Sequence, residues 1–185
     1  MFYFYHGTSL EAFASILKTK RIYGALNLPT HLKQYIRMGG DTNYVFTNIY
    51  ADCIKDKLGP DEKQGLGPVT IIIDPLVLKY RACYFNKGWR AGVNDTSIAM
   101  NDNIDAVLDY ICNSCRYTWA DTGLPNGSDS LYPYLATHEA LIKGPIPIAF
   151  VGAVLCDSDI KPTVRQLIAD SGLDIKIFSL LPQMI

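Results

Sequence analysis

The chain has 185 residues, 49% of them hydrophobic and 19% charged, with a formal net charge of −1. That length suits one domain with a full core, and that balance excludes an intrinsically disordered chain. The near-zero charge excludes an overall basic field that would draw in nucleic acid or a membrane surface, although a local cationic cluster suffices for the former.

Residues 2–5 are aromatic-rich and read as a strand. Ser9 follows as an N-cap, with Leu10, Phe13, Ile16 and Leu17 on one face of a helix that runs to Lys18. A weaker helix is expected over 30–38, stopped by Gly39 and Gly40. Residues 44–47 read as a short strand, followed by a helix through Ala51, Ile54 and Leu58. The uninterrupted run VTIII at 69–73, closed by Asp74-Pro75, predicts a buried strand. Tyr84 and Phe85 extend a strand, and the stretch from Asn86 to Asn101 is polar and loop-like. The clearest helix spans 102–117, with Ile104, Val107, Leu108, Ile111 and Cys115 at helical spacing. A turn-rich aromatic segment, TWADTGLPNGSDSLYPY, comes next. Strands at 138–143 and 148–155 flank the turn Gly144-Pro145. A capped helix at 158–171 carries Pro162 in its opening turns, and 175–181 reads as the last strand. With strands at both ends and helices between, the class is α+β, one domain over 1–185 built on a split mixed sheet with flanking helices.

The cysteines, Cys53, Cys83, Cys112, Cys115 and Cys156, form an odd set without a disulfide-framework spacing. Cys112-x-x-Cys115 does not read as a metal site, because structural zinc needs four ligands and no second pair or histidine cluster accompanies it. A redox pair would open a helix, whereas this one lies near a helix end. No metal is expected. The opening MFYFYHGTS lacks the basic and long apolar regions of a signal peptide, and no stretch approaches the ~18–20 apolar residues of a membrane span. The expectation is free thiols in a reducing, cytoplasmic setting, with no membrane partner.

Tyr5-His6-Gly7-Thr8-Ser9 sits where a strand hands over to a helix N-terminus. Such a junction offers backbone N–H groups, and a glycine lets a flat ligand approach the backbone closely. Taken alone, the block also fits a histidine that caps a turn. YHGTSLEAFASILKTKRI resembles the first motif of the ADP-ribosyltransferase superfamily, a strand ending in His-Gly-Thr/Ser before a helix. TNYVFTNIYAD resembles the second, a strand with an aromatic and a Ser/Thr, and THEALIKGPIPIAFVGAVLCD the third, a strand with a glutamate running into a hairpin. In order, the three span nearly the whole chain. The closing stretch looks most like the DarT-type toxins, which modify DNA bases, and their relatives acting on RNA.

The resemblance implies NAD⁺ as co-substrate, with ADP-ribose handed to a macromolecule and His6 and Glu139 as the catalytic residues. It implies His6 on a ribose hydroxyl, the Gly7 backbone clamping the nicotinamide carboxamide, and Thr8 supporting that clamp. It implies Tyr44 or Tyr50 stacked on nicotinamide, Tyr50 being favoured as the opening of the following helix, and Thr47 at the strand-end hydroxyl position. Loss of nicotinamide leaves an oxocarbenium-like ribose, which a glutamate on the ribose hydroxyl stabilises. The plainer place for Glu139 is the surface of an edge strand.

Thr137 shares a strand face with Glu139, and His138 points the other way. Arginine-specific members of the superfamily carry Gln or Glu where Thr137 lies, which argues against arginine as acceptor. Trp119, Tyr132 and Tyr134, in the place of the acceptor-recognition loop, either stack on bases at ~1–3 kcal/mol each or pack beneath a long loop. Three readings follow. The first is toxin-type transfer to a nucleic-acid base, and the second is transfer to a protein side chain. The third is RNA 2′-phosphotransfer, whose phosphate-holding cluster has only His31, Lys33 and Arg37 to represent it. For a toxin-type enzyme the resemblance adds an antitoxin or immunity protein as partner.

Overall fold

Alternating aromatics make β1 (Phe2–Thr8), three residues longer than the strand expected over 2–5. This computed structural model describes residues 2–24, 43–51, 67–86, 93, 95–113 and 139–179. The helices expected at 30–38 and through Ile54 and Leu58 lie outside them. Ser9 ends β1 and caps α1 (Leu10–Thr19), its Oγ accepting from the Ala12 N–H at 3.2 Å. Lys20, left-handed at φ 58°, closes the helix. The next elements are β2 (Arg21–Ile22), β3 (Tyr44–Ala51) and β4 (Val69–Ile73). β4 has the bounds expected, and Asp74 caps the 3-10 turn Pro75–Lys79 that follows it.

β3 corrects the short strand expected over 44–47: Ala51, read as part of a helix, ends a strand of eight residues, and Tyr50 lies within it. The reason is the two-residue period of Val45, Thr47, Ile49 and Ala51, all buried while their neighbours are not. β5 (Cys83–Asn86) and β6 (Ile98–Ala99) pair across what reads as one polar loop. They are followed by α2 (Ile104–Asn113). β7 (Glu139–Lys143), β8 (Ile146–Pro147) and β9 (Val151–Cys156) come next, a short 3-10 turn taking the place of the expected start of β9 at Ile148. α3 (Lys161–Ser171) and β10 (Lys176–Ser179) complete the described chain. Cys83 and Cys156 are free thiols, but Cys112 on α2 is disulfide-bonded, against the expectation.

Eight strands form one sheet in the order β10-β9-β4-β1-β3-β7-β5-β6, and β2 pairs separately with β8. β9 and β10, joined through α3, are parallel and the other pairs antiparallel, so the sheet is mixed as expected. One sheet face, with Phe4, Val45, Ile71, Phe85, Ile142 and Val154, joins Phe13 and Leu17 of α1, Val107 and Ile111 of α2, and Val164 and Ile168 of α3 in a single core.

Candidate active site

β3 is shared by two ladders. Its last four residues pair with β1, ending at Tyr5↔Asn48, and its first four pair with β7, from Thr47↔Ala140 to Tyr44↔Lys143. Beyond Tyr5, β1 stays with β4 through His6↔Ile71, Gly7↔Thr70 and Thr8↔Val69. The sheet therefore forks. One prong carries His6, Gly7 and Thr8, the other the first half of β3 with β7.

His6 bridges the base of the fork, its Nδ1 2.8 Å from the Phe46 carbonyl oxygen. A carbonyl only accepts, so Nδ1 carries the proton and Nε2 of the neutral ring is an acceptor. Burial lowers the imidazole pKa below its ordinary value, and the hydrogen bond to Phe46 opposes part of that shift. The ring is therefore neutral at physiological pH.

Glu139 opens β7 and is 4% exposed, far from the edge-strand surface that a lone carboxylate ordinarily takes. Its Oε2 accepts from Asn86 Nδ2 at 3.1 Å, and Asn86 Oδ1 accepts from Ser97 Oγ at 2.6 Å. Continuing the β3–β7 register by one residue sets Glu139 across from Asn48, which pairs with Tyr5. Alternation then puts Glu139, Asn86, Tyr5 and Gly7 toward one sheet face, and His6, Thr8 and Thr47 toward the other. Groups on the two faces meet a common ligand only through the gap where β1 has parted from β3.

Thr47 is mid-strand rather than at a strand end; its buried hydroxyl donates to the Ala140 carbonyl at 2.7 Å and ties β3 to β7. Tyr44 opens β3 and meets Tyr84 edge-on at 5.8 Å, with burial and then Tyr84 raising its pKa. Tyr50 stacks on Tyr3 at 6.3 Å and 21° and tilts against Tyr5 at 5.8 Å. Burial, then Tyr50 and Tyr3, push the Tyr5 hydroxyl far above its ordinary pKa. Thr8 is half-buried beneath Gly67, whose φ is +81° and where a Cβ would lie 2.9 Å from the Thr8 oxygen.

Asn86 and Ser97 are not legible as site residues in the sequence, because both lie in a stretch that reads as loop. The one local signal is a polar residue closing an apolar strand. Trp119, Tyr132, Tyr134 and Thr137, with His31, Lys33 and Arg37, lie outside the described residues. Among the described residues no group of three His, Cys, Asp or Glu is placed to hold a metal, and no helix is long and apolar enough to cross a membrane.

The forked mixed sheet with its flanking helices is an ADP-ribosyltransferase-like α+β fold. The chain belongs to the family of unknown function DUF5846, which matches residues 1–114. No curated protein matches it. Among solved structures it is similar to DarT of Thermus sp. 2.9 in complex with NAD⁺, at a TM-score of 0.62 and 13% identity, over 96% of this chain and 94% of that one. The same protein in complex with ADP-ribosylated single-stranded DNA gives 0.61 and 13%, over 98% and 95%. Thermosipho africanus DarTG in complex with ADP-ribose gives 0.57 and 12%, over 98% of this chain and 50% of that one. At such identities the likeness establishes the shared fold.

Proposed function

We propose that the protein is an ADP-ribosyltransferase that cleaves NAD⁺ in the fork between β1 and β7 and transfers ADP-ribose to a nucleic-acid base. The observation that carries this reading is the buried Glu139 carboxylate, held by an amide donor at the start of β7, beside a prong that presents His6 and Gly7. Support also comes from solved proteins of the same fold, one in complex with NAD⁺ and with ADP-ribosylated single-stranded DNA.

In this reaction the bond from the ribose C1′ to the nicotinamide nitrogen breaks, and its electron pair leaves with neutral nicotinamide. A base nitrogen or oxygen forms the new bond to C1′ and loses its proton. Glu139 holds a ribose hydroxyl and offsets the positive charge that develops on the ring. His6 Nε2 accepts from a ribose hydroxyl, the lack of a side chain at Gly7 lets the carboxamide reach the backbone, and Thr8 supports that segment. Tyr44 or Tyr50 stacks on nicotinamide; Tyr50 is the better placed, within a tyrosine cluster whose residues alternate with β1 on the Gly7 face. Thr47 acts indirectly, by fixing the β3–β7 seam. Trp119, Tyr132, Tyr134 and Thr137 receive the acceptor, and an antitoxin or immunity protein restrains the activity in the cell.

Incubation with NAD⁺ and separate pools of DNA, RNA and protein, followed by mass spectrometry, tests this reading. The mass of one ADP-ribose should appear on nucleic acid, and Glu139→Gln should lower transfer by roughly 10²–10³-fold while retaining NAD⁺ binding. His6→Ala should weaken NAD⁺ binding in calorimetry without unfolding the chain. Wild-type turnover in Glu139→Gln would remove Glu139 from the chemistry, and an adduct on protein alone would replace the acceptor.

A further inference from the structure

Asn86, Ser97 and Glu139 come from three different strands or strand borders, yet they form one row across the sheet. Asn86↔Glu139 is a direct cross-strand pair of β5 and β7. Ser97 immediately precedes β6, and the β5–β6 register, Phe85↔Ile98, continues by one residue to Asn86 beside Ser97. Asn86 is 1% exposed. Its two amide ends are both engaged, Nδ2 donating to Glu139 Oε2 at 3.1 Å and Oδ1 accepting from Ser97 Oγ at 2.6 Å.

We infer that Asn86, locked by the Ser97 hydroxyl, is the positioning residue that fixes the Glu139 carboxylate for catalysis; this rests on the reading of Glu139 as the catalytic glutamate. A carboxylate oxygen only accepts, so an amide turned the other way would set oxygen against oxygen. The hydroxyl of Ser97, by donating to Oδ1, holds the amide in the productive sense. A glutamate at a strand end otherwise has several rotamers, and a charge acting on one ribose hydroxyl must be held to within about 0.5 Å. On this reading the two-residue strand β6 anchors the outer end of the relay.

The test combines turnover of NAD⁺ with an observable that needs no turnover. Asn86→Ala, which removes the donor, should lower kcat by roughly ten- to a hundredfold, the scale of one hydrogen bond to a charged group. Asn86→Asp, which sets a second carboxylate against Glu139, should lower it at least as far. The KM for NAD⁺ should stay near wild type, whereas the melting temperature should fall, because the buried carboxylate loses its donor. Ser97→Ala should lower kcat less, and Ser97→Thr should restore it. In a Glu139→Gln background, Asn86→Ala should cost nothing further, since its route to the chemistry is gone. Independently, the Asn86 side-chain amide signal in the NMR spectrum should shift in Glu139→Gln and in Ser97→Ala. Additive losses in the double variant, a KM that rises as kcat falls, or an unmoved amide signal would each overturn the inference. Should Glu139→Gln itself leave turnover intact, the functional reading fails, and the amide signal still decides whether Asn86 holds that carboxylate. Should Glu139→Gln abolish turnover while Asn86→Ala leaves it unchanged, only the positioning role is lost.

Discussion

His6 joins two halves of a forked sheet through one hydrogen bond, and its protonation therefore bears on the fold as well as on any ligand. In the folded chain burial depresses its pKa, whereas in the unfolded chain it returns to the ordinary value of ~6.5. As pH falls, the unfolded state takes up the proton first. The stability contributed by the neutral ring is complete above the unfolded pKa and is lost as pH falls from there toward the folded value. Thermal melts between about pH 7.5 and pH 5 should accordingly show a larger drop for wild type than for His6→Gln. The other two of the three histidines are common to both proteins and cancel. Equal slopes would mean that the imidazole is not held neutral. Cys83 shows the same physics without a ligand: burial pushes its thiol up to about 12, so it should resist alkylation until the chain unfolds.

The elements that frame the fork meet at a close backbone contact. A Cβ on Gly24, after β2, would lie 2.6 Å from the carbonyl carbon of Asn43, and one on Gly144, after β7, 3.0 Å from the Gly24 nitrogen. The Gly144 N–H donates to the Asn43 oxygen at 2.8 Å, which fixes the entry of β3 against the exit of β7. Gly24→Ala forces backbone against Cβ and should destabilise by about 1–3 kcal/mol in chemical denaturation. Gly152→Ala, with open space around its Cβ, serves as the neutral control. If the two variants unfold alike, the backbones around Gly24 relax at little cost. Elements of this kind differ in how far the sequence reveals them. The run at 69–73 is legible because a buried central strand needs apolar side chains on both faces, and Ser9 because a cap is a local hydrogen bond. Glu139 stands out because a carboxylate at the head of an apolar strand is costly to bury. The full length of β3 is hidden, since Asn48 and Tyr50 break the apolar run and it is pairing with β1 that keeps them extended. Asn86 and Ser97 are hidden for a related reason: their meeting depends on the β5–β6 and β5–β7 registers, and no local pattern encodes those.

At the scale of the molecule the order of strands in space interleaves early and late parts of the chain. β7 stands between β3 and β5, while β9 and β10 lie outside β4. The family match ends at residue 114, so those three strands and α3 all lie beyond it. A chain cut to 1–114 keeps β3, β1 and β4 as a three-stranded sheet with β1 in the middle but loses the strand that attaches the β5–β6 hairpin to it. It also loses the strand that covers the edge of β4 and the helix that packs on α1. Ala140, Ile142, Ile146, Val151, Val154, Cys156, Val164 and Ile168 leave the core with them. Burial of side chains of this kind contributes roughly 1.5–3 kcal/mol for each large aliphatic residue, against a net stability of only about 5–15 kcal/mol for a whole domain. We therefore expect 1–114 to lack a cooperative melting transition and near-ultraviolet dichroism under conditions where the 185-residue chain shows both. On the function proposed above, the same fragment should bind no NAD⁺ in calorimetry, since it lacks β7 and with it Glu139. A cooperative melt from 1–114 would show that the matched region is an independent folding unit, and the fork would then be a junction between units.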